Sequence, residues 1–277
     1  MGIRINTNIM SVNAQRNLSG SRMSMEKAAE KMSSGSRINR SADDAAGLAI
    51  SDTLNGHIRS FQQAGRNAQD AISLIQVAEG GMNEVSSMLS RMRELSVQSA
   101  SDTIGDTERK YLDNEIQQLK NEIDRLAKGT EFNGRFLLNG TGENMDFQIG
   151  IHNEPSLDRI SYNPGDTNVT LGKLGLSGVG VADKSNAQVS LDVIDESVKV
   201  LNGNRAKLGA LQNRLTTTVA STDVATENFT AAKSRIKDAD IATETAEFAR
   251  TNIMLQSGIS VLAQANQVKG MALKLLG

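Results

Sequence analysis

Residues 50–92 read ISDTLNGHIRSFQQAGRNAQDAISLIQVAEGGMNEVSSMLSRM, and steps of four and three from Ile50 meet Leu54, His57, Phe61, Ala64, Ala68, Ala71, Ile75, Ala78, Met82, Val85, Leu89 and Met92 in turn. An apolar position every 3.5 residues, held for more than 40 residues, is the seam of a long helix packed on other helices. At 1.5 Å per residue such a helix is roughly 60 Å long. Alanine and methionine fill much of the seam, which suits closely packed helices.

Working outward from the seam, Leu112, Ile116, Leu119, Ile123 and Leu126 repeat the same spacing. SDTIGDTE (101–108) supplies the turn between the two helices, with Asp106 or Thr107 as the expected cap, so they should pack antiparallel. From 132 to about 184 the pattern changes. Met145, Phe147, Ile149 and Ile151 alternate with polar neighbours, and NGTGEN, NPGD and LSGVG carry turn chemistry, which predicts β-hairpins. Leu201, Leu208, Leu215, Phe229 and Ile236 then fall at multiples of seven and predict a further long helix. The two prolines, Pro155 and Pro164, both lie in the middle region, so no proline breaks either flank.

The last 40 residues carry two adjacent stripes, Ile241, Phe248, Leu255 and Leu262 beside Met254, Val261, Val268 and Leu275. One partner helix does not cover both. The N-terminal 32 residues show a weaker stripe, Ile5, Val12, Leu18, Met25 and Met32, on a polar background. Both ends read as helices that need partners beyond their own chain. The fold class is therefore mainly α, a long antiparallel helical rod or coiled coil built from both chain ends, with a small β-hairpin region in the middle.

Thirty basic and 32 acidic residues give a net charge of −2, which excludes a nucleic-acid footprint at the level of whole-chain charge. No cysteine is present, so disulfides, thiolate metal ligands and a thiol nucleophile are excluded. The first 20 residues hold no apolar run of signal-peptide length, and nowhere do about 18 apolar residues run together, so neither Sec export nor a membrane span is expected.

Catalytic chemistry lacks parts. The only histidines are His57, on the seam, and His152, in GIHNEP, and each has an ordinary structural explanation. SMEK (24–27) resembles S-x-x-K without its partner motifs, and GVGVADKS (178–185) fits no phosphate loop. Asp238 and Asp240 in KDAD are better helix caps than cation ligands. Neither a cofactor nor a metal is expected, and the chain does not read as an enzyme. The charged break KMSSGSRINRSADDAAGLAIS (31–51) has a structural reading: Ser33, Ser34 and Gly35 end one helix, and Ser41 to Asp44 form a capping box for the next, with Ser41 as cap. Arg37 and Arg40 remain to brace the turn against carboxylates or carbonyls elsewhere.

These segments resemble bacterial flagellin over nearly the whole chain. MGIRINTN, SSGSRINRSADDAAGLAIS, NAQDAISLIQVAEGGMNEV, RMRELSVQSA, NEIDRLAKGTEFNGRFLLNG, AKLGALQNRL, ENFTAAKSRIKDADIATETAEFARTNIM and the LAQANQV and ALKLLG of the ending follow in the family's order. The resemblance implies a motility filament subunit whose two ends pair in an inner core, with the hook–filament junction protein as the alternative. It divides the chain into 1–44 (inner-core helix and spoke loop), 45–140 (outer-core rod), 141–186 (β-hairpin region), 187–235 (outer-core helix) and 236–277 (inner-core helix).

The implied partners are copies of itself, an export chaperone on the C-terminal helix, the type III export apparatus, and the filament cap and hook-junction proteins. The implied place is extracellular, in a free, sheathed or periplasmic filament. The family's innate-immune receptor segment maps onto Arg91, Leu95 and Glu115. Two departures stand out: Ser36 replaces the Leu usual in SSGLRIN, and 140–185 is too short for large variable outer domains.

Overall fold

The computed structural model describes residues 7–274, with side chains up to 268. Ile5 and Leu275 of the terminal stripes lie outside the residues whose side chains are described. The helices are α1 (Ile9–Ser34), α2 (Ala45–Ser99), α3 (Asp106–Gly129), a short α4 (Pro155–Asp158), a short α5 (Leu171–Leu174), α6 (Lys184–Lys237) and α7 (Ile241–Lys274). Two short 3-10 turns (Pro164–Thr167 and Leu176–Gly178) and four short strands complete the secondary structure of the described residues: β1 (Glu131–Phe132), β2 (Arg135–Phe136), β3 (Met145–Gln148) and β4 (Arg159–Tyr162). Contacts divide the chain into a terminal unit, 1–57 with 227–277, and a central unit, 58–226.

The central unit holds the larger core. The α2 seam from Ala64 to Met92 is buried, and Ile116, Ile123 and Ala127 of α3 join it in burial. Ala187, Ile194, Leu201, Leu208 and Leu215 bury one face of α6 at seven-residue intervals. Antiparallel α2 and α6 are tied by Arg93 Nε to Asp195 Oδ1 at 2.7 Å, and Gly65 packs close to Thr222. Arg91 Nε donates to Glu115 Oε1 of α3 at 2.9 Å.

The irregular 164–183 stretch packs between α3 and α6 through polar side chains. Ser190, Ser197 and Asn204, again at sevens, donate to the carbonyls of Gly180 (2.9 Å), Leu174 (2.6 Å) and Asn168 (3.3 Å). From the other side Lys120 Nζ donates to the carbonyls of Ser177 and Val179, both at 3.0 Å, and Asp113 accepts from the Val181 N–H at 2.7 Å. Backbone that makes no ladder is thereby satisfied by side chains, as burial requires. Burial holds the Lys120 ammonium below its usual pKa, against the nearby Asp113 charge.

The β region differs in detail from the alternation. β3 and β4 pair antiparallel in the register Met145 to Tyr162, but the strand ends at Gln148. The Ile149 and Gly150 N–H groups both turn to the Asp158 carbonyl instead. β1 and β2 form a further hairpin at the start of the predicted β region, outside the alternation at 145–151, closed by Asn133 and Gly134 with φ of 50° and 74°. EFNGRF held that signal, since Asn-Gly is the preferred two-residue hairpin turn. At the start of α3 the cap position is Gly105 rather than Asp106 or Thr107. Asp106 instead binds Arg109, whose guanidinium also donates to the carbonyls of Ser99 and Ser101.

Ser197→Ala leaves the buried Leu174 carbonyl without this donor and should cost about 1–3 kcal/mol. Urea unfolding followed by circular dichroism measures it, with Ser90→Ala on the exposed face of α2 as the near-neutral control.

Candidate assembly surface

In the terminal unit α1 and α7 pair antiparallel: Asn8 Nδ2 donates to the Ala265 carbonyl at 3.1 Å, and Lys31 Nζ meets Glu244 Oε1 at 3.0 Å. On α1 the inward positions are Ser11, Ala14, Leu18, Ser21, Met25, Ala28 and Met32, a heptad in which large and small residues largely alternate. On α7 the matching positions are Phe248, Thr251, Leu255, Gly258, Leu262 and Ala265. Leu18 sits so close to Gly258 that a Cβ there would lie 2.9 Å from Leu18 Cδ1. The fully buried members are small: Ala14, Ala28, Thr251 and Ala265.

Many large apolar side chains lie outside this contact. Ile9, Met10, Val12 and Met23 of α1 are exposed, and so are Ile241, Ile253, Met254, Ile259, Val261 and Val268 of α7. The two C-terminal stripes thus part ways. Phe248, Leu255 and Leu262 face α1, whereas Met254, Val261 and Val268 point outward at 47–52% exposure. Ile241, at the head of the first stripe, is exposed, and so is Val12 of the N-terminal stripe. Contiguous exposure of this kind marks an interaction surface.

Both chain breaks of the unit meet in one joint. α1 ends at Gly35, whose φ of 66° is the left-handed cap conformation. Ser36 then forms an antiparallel bridge with Asp238, carried by Arg37 N–H to the Lys237 carbonyl (2.6 Å) and Ala239 N–H to the Gly35 carbonyl (2.9 Å). The Arg37 guanidinium caps the end of α6, donating to the Ile236 carbonyl at 2.7 and 3.2 Å. Arg40 reaches Glu30 at 2.9 Å, an exposed pair of small energetic weight. Ile38 is buried and anchors the turn. Ser36 takes part through its backbone, so the bridge does not depend on the side chain at that position.

The helix restart differs from the capping box. Asp43 Oδ2 accepts from the N–H groups of Asn39 (3.2 Å) and Arg40 (3.1 Å), closing the turn around Ser41. α2 therefore begins later, at Ala45, and Asp44 is its cap, accepting from the Gly47 N–H at 2.8 Å. Across the joint Asp240 caps α7, accepting from the Ala242 N–H (2.9 Å), the Thr243 N–H (3.4 Å) and the Thr243 hydroxyl (3.1 Å). The Arg40 and Asn39 amides hold the Asp43 carboxyl below its usual pKa. The Thr243 hydroxyl, then the Thr243 and Ala242 amides, do the same for Asp240. Asn39 Nδ2 is the one buried side-chain nitrogen or oxygen left without a partner among the described residues.

Elsewhere His57 packs against Phe229, with ring centroids 5.8 Å apart, and the His152 carbonyl accepts from Gln148. Among the described residues no acid, histidine or cysteine cluster could hold a metal, and no helix is long and apolar enough to cross a membrane. In the central unit Arg91 and Glu115 form a half-exposed ion pair, and Leu95 lies beneath it, buried. Glu115, then Glu94, holds the Arg91 guanidinium above its usual pKa. A partner touching that face meets Arg91, Glu94 and Glu115 rather than Leu95.

Residues 5–143 match the bacterial flagellin N-terminal helical region, and residues 191–276 the bacterial flagellin C-terminal helical region. The chain belongs to the bacterial flagellin family. Among curated flagellins, that of Halalkalibacterium halodurans is 45% identical over 98% of this chain and 99% of its own. That of Bacillus subtilis is 39% identical over 99% and 100%. The crystal structure of Bacillus cereus flagellin shares 30% identity and a TM-score of 0.51, over 57% of this chain and 88% of that one. A putative flagellar hook-associated protein of Vibrio parahaemolyticus, 14% identical with a TM-score of 0.58, shares the fold. As a flagellin the chain is a structural subunit of the flagellar filament, of the short type without a large outer domain.

Asp44→Ala should cost about 1 kcal/mol, read as roughly a fivefold loss of hydrogen-exchange protection at the Gly47 and Leu48 amides. Ser41→Ala should leave both unchanged. A carboxyl held below its unfolded-chain pKa stabilises the fold above that value and stops doing so as pH falls through its folded-state value. Protection at the amides of Asn39, Arg40, Ala242 and Thr243 should therefore fall as pH drops below about 4.

Proposed function

We propose that this flagellin polymerises through the outward faces of α1 and α7, with Met254, Val261 and Val268 at the centre of the contact and Leu275 continuing the stripe. The surplus of apolar surface carries the reading: the internal seam is closed by alternating large and small residues, and a further set of large apolar side chains, Met254, Val261 and Val268 among them, still faces out. Burying each large apolar side chain against a neighbouring copy contributes about 1.5–3 kcal/mol, offset by the entropy of ordering it. Ordering of the ends is then coupled to assembly, and the joint of Arg37, Arg40 and Asp44 (with Ser41 in its turn) sets how the helix pair is held. In a monomer on its way to the filament the same face of α7 suits an export chaperone, followed by the type III apparatus and then the filament cap. The filament lies outside the cell body.

Seeded elongation tests the surface. Val261→Asp should abolish growth from filament fragments while leaving the thermal unfolding of the central unit unchanged; normal growth would count against this surface. Equal protease resistance of the chain ends in monomer and filament would count against coupled ordering. Immunogold labelling along the whole filament, rather than at its hook end alone, separates a filament subunit from a hook–filament junction protein. The Arg91–Glu115 pair is the proposed polar contact for the vertebrate flagellin receptor, and Arg91→Ala with Glu115→Ala should lower the response of reporter cells.

A further inference from the structure

Of the 11 methionines, the buried ones among the described side chains lie in the central unit and the most exposed in the terminal unit. Met82, Met92 and Met145 of the central unit are buried in its core, and Met88 is partly buried against it. In the terminal unit Met10, Met23 and Met254 are 68%, 59% and 47% exposed. Met10 and Met23 stand on α1 and Met254 on α7, all outside the seam between the two helices. The thioether of Met254 accepts a weak contact from a guanidinium nitrogen of Arg250 at 3.7 Å.

We propose that Met10, Met23 and Met254 form a reversible oxidation switch on the assembly face: their conversion to sulfoxides in the free subunit blocks its addition to a filament. The inference rests on the polymerisation reading above. In the reaction the thioether lone pair attacks one oxygen of hydrogen peroxide and the O–O bond breaks. The sulfur takes up that oxygen as a sulfoxide, and the peroxide is reduced to water. The product places a strong polar acceptor where a flexible apolar side chain would be buried, and reductases acting on methionine sulfoxide reverse it. Burial against a neighbour requires a donor for that oxygen, and the apolar side chains of the stripe supply none, although the Arg250 guanidinium lies beside Met254. Oxidation would therefore act on subunits before addition and spare those already in place.

The test treats monomer with dilute peroxide, maps oxidation by peptide mass spectrometry and measures elongation from seeds. Met10, Met23 and Met254 should oxidise well before Met82, Met92 and Met145, and elongation should slow by about tenfold or more. Treatment with methionine sulfoxide reductases should restore it. The variant Met10→Leu, Met23→Leu, Met254→Leu should elongate at the same rate before and after peroxide, although Met1, Met25, Met32 and Met271 of the terminal unit remain. Indiscriminate oxidation, or normal elongation by oxidised wild-type monomer, would overturn the proposal, as would a variant still blocked by peroxide or a block that the reductases do not lift. Failure of untreated monomer to elongate would instead overturn the polymerisation reading, and this inference with it.

Discussion

A helix that repeats an apolar position every 3.5 residues has to find cover for that seam along its whole length, and much of this structure follows from how the cover is supplied. In the central unit α2 finds it within the chain. Ala68 to Met92 share one buried core with Ile116 and Ile123 of α3 and the seven-residue row Ala187 to Leu215 of α6. In the terminal unit Leu18, Met25, Phe248, Leu255 and Leu262 alternate with small residues in the internal seam, and a further set of large apolar groups, Met254, Val261 and Val268 among them, is left uncovered. The same heptad rule yields a self-contained core in one unit and an unfinished one in the other. A polymerising subunit needs both.

Polar side chains do what a further helix would otherwise do. The 164–183 stretch has too little regular structure to pair its own backbone, yet Ser190, Ser197 and Asn204 present donors to it once every two turns of α6. Lys120, Gln117 and Asp113 meet it from α3. Hydrophobic burial alone would tolerate this stretch in many arrangements. Hydrogen bonds at fixed spacing select one, because leaving a buried carbonyl unpaired costs more than making the bond contributes.

The long helices were legible in the sequence because their information is periodic: each reading of 50–92, 112–126 and 201–215 repeats the same spacing until the pattern is unmistakable. Contacts between distant segments leave no such trace. Nothing in Ser197 marks it as the partner of the Leu174 carbonyl, and nothing in Arg37 names Ile236. Local chemistry misled where two residues could play one part. Ser41 and Asp44 are both good caps, and the choice fell to Asp44 because Asp43 closes the turn on Asn39 and Arg40 and delays the helix. The outward stripe of Met254, Val261 and Val268 was visible as a surplus of apolar surface. Which of the two stripes would face α1 was not, since both have the same period.

The charged break at 31–51 shows why charge density is a poor guide to chemistry in a helical protein. Helix ends leave unpaired N–H groups at one terminus and unpaired carbonyls at the other. Here the end of α1 and the start of α2 lie beside the end of α6 and the start of α7, so four termini demand partners in one place. The carboxylates of Asp44 and Asp240 serve the N–H groups, Arg37 serves a carbonyl, and the Ser36–Asp238 bridge pairs the backbone between them. Apolar side chains could not meet those demands, and neutral caps would meet them less strongly, because charged groups make the stronger hydrogen bonds. A dense patch of Arg and Asp is thus what four converging helix ends require. Its geometry fixes a joint, and the chemistry that remains for solvent to meet lies on the apolar faces of α1 and α7.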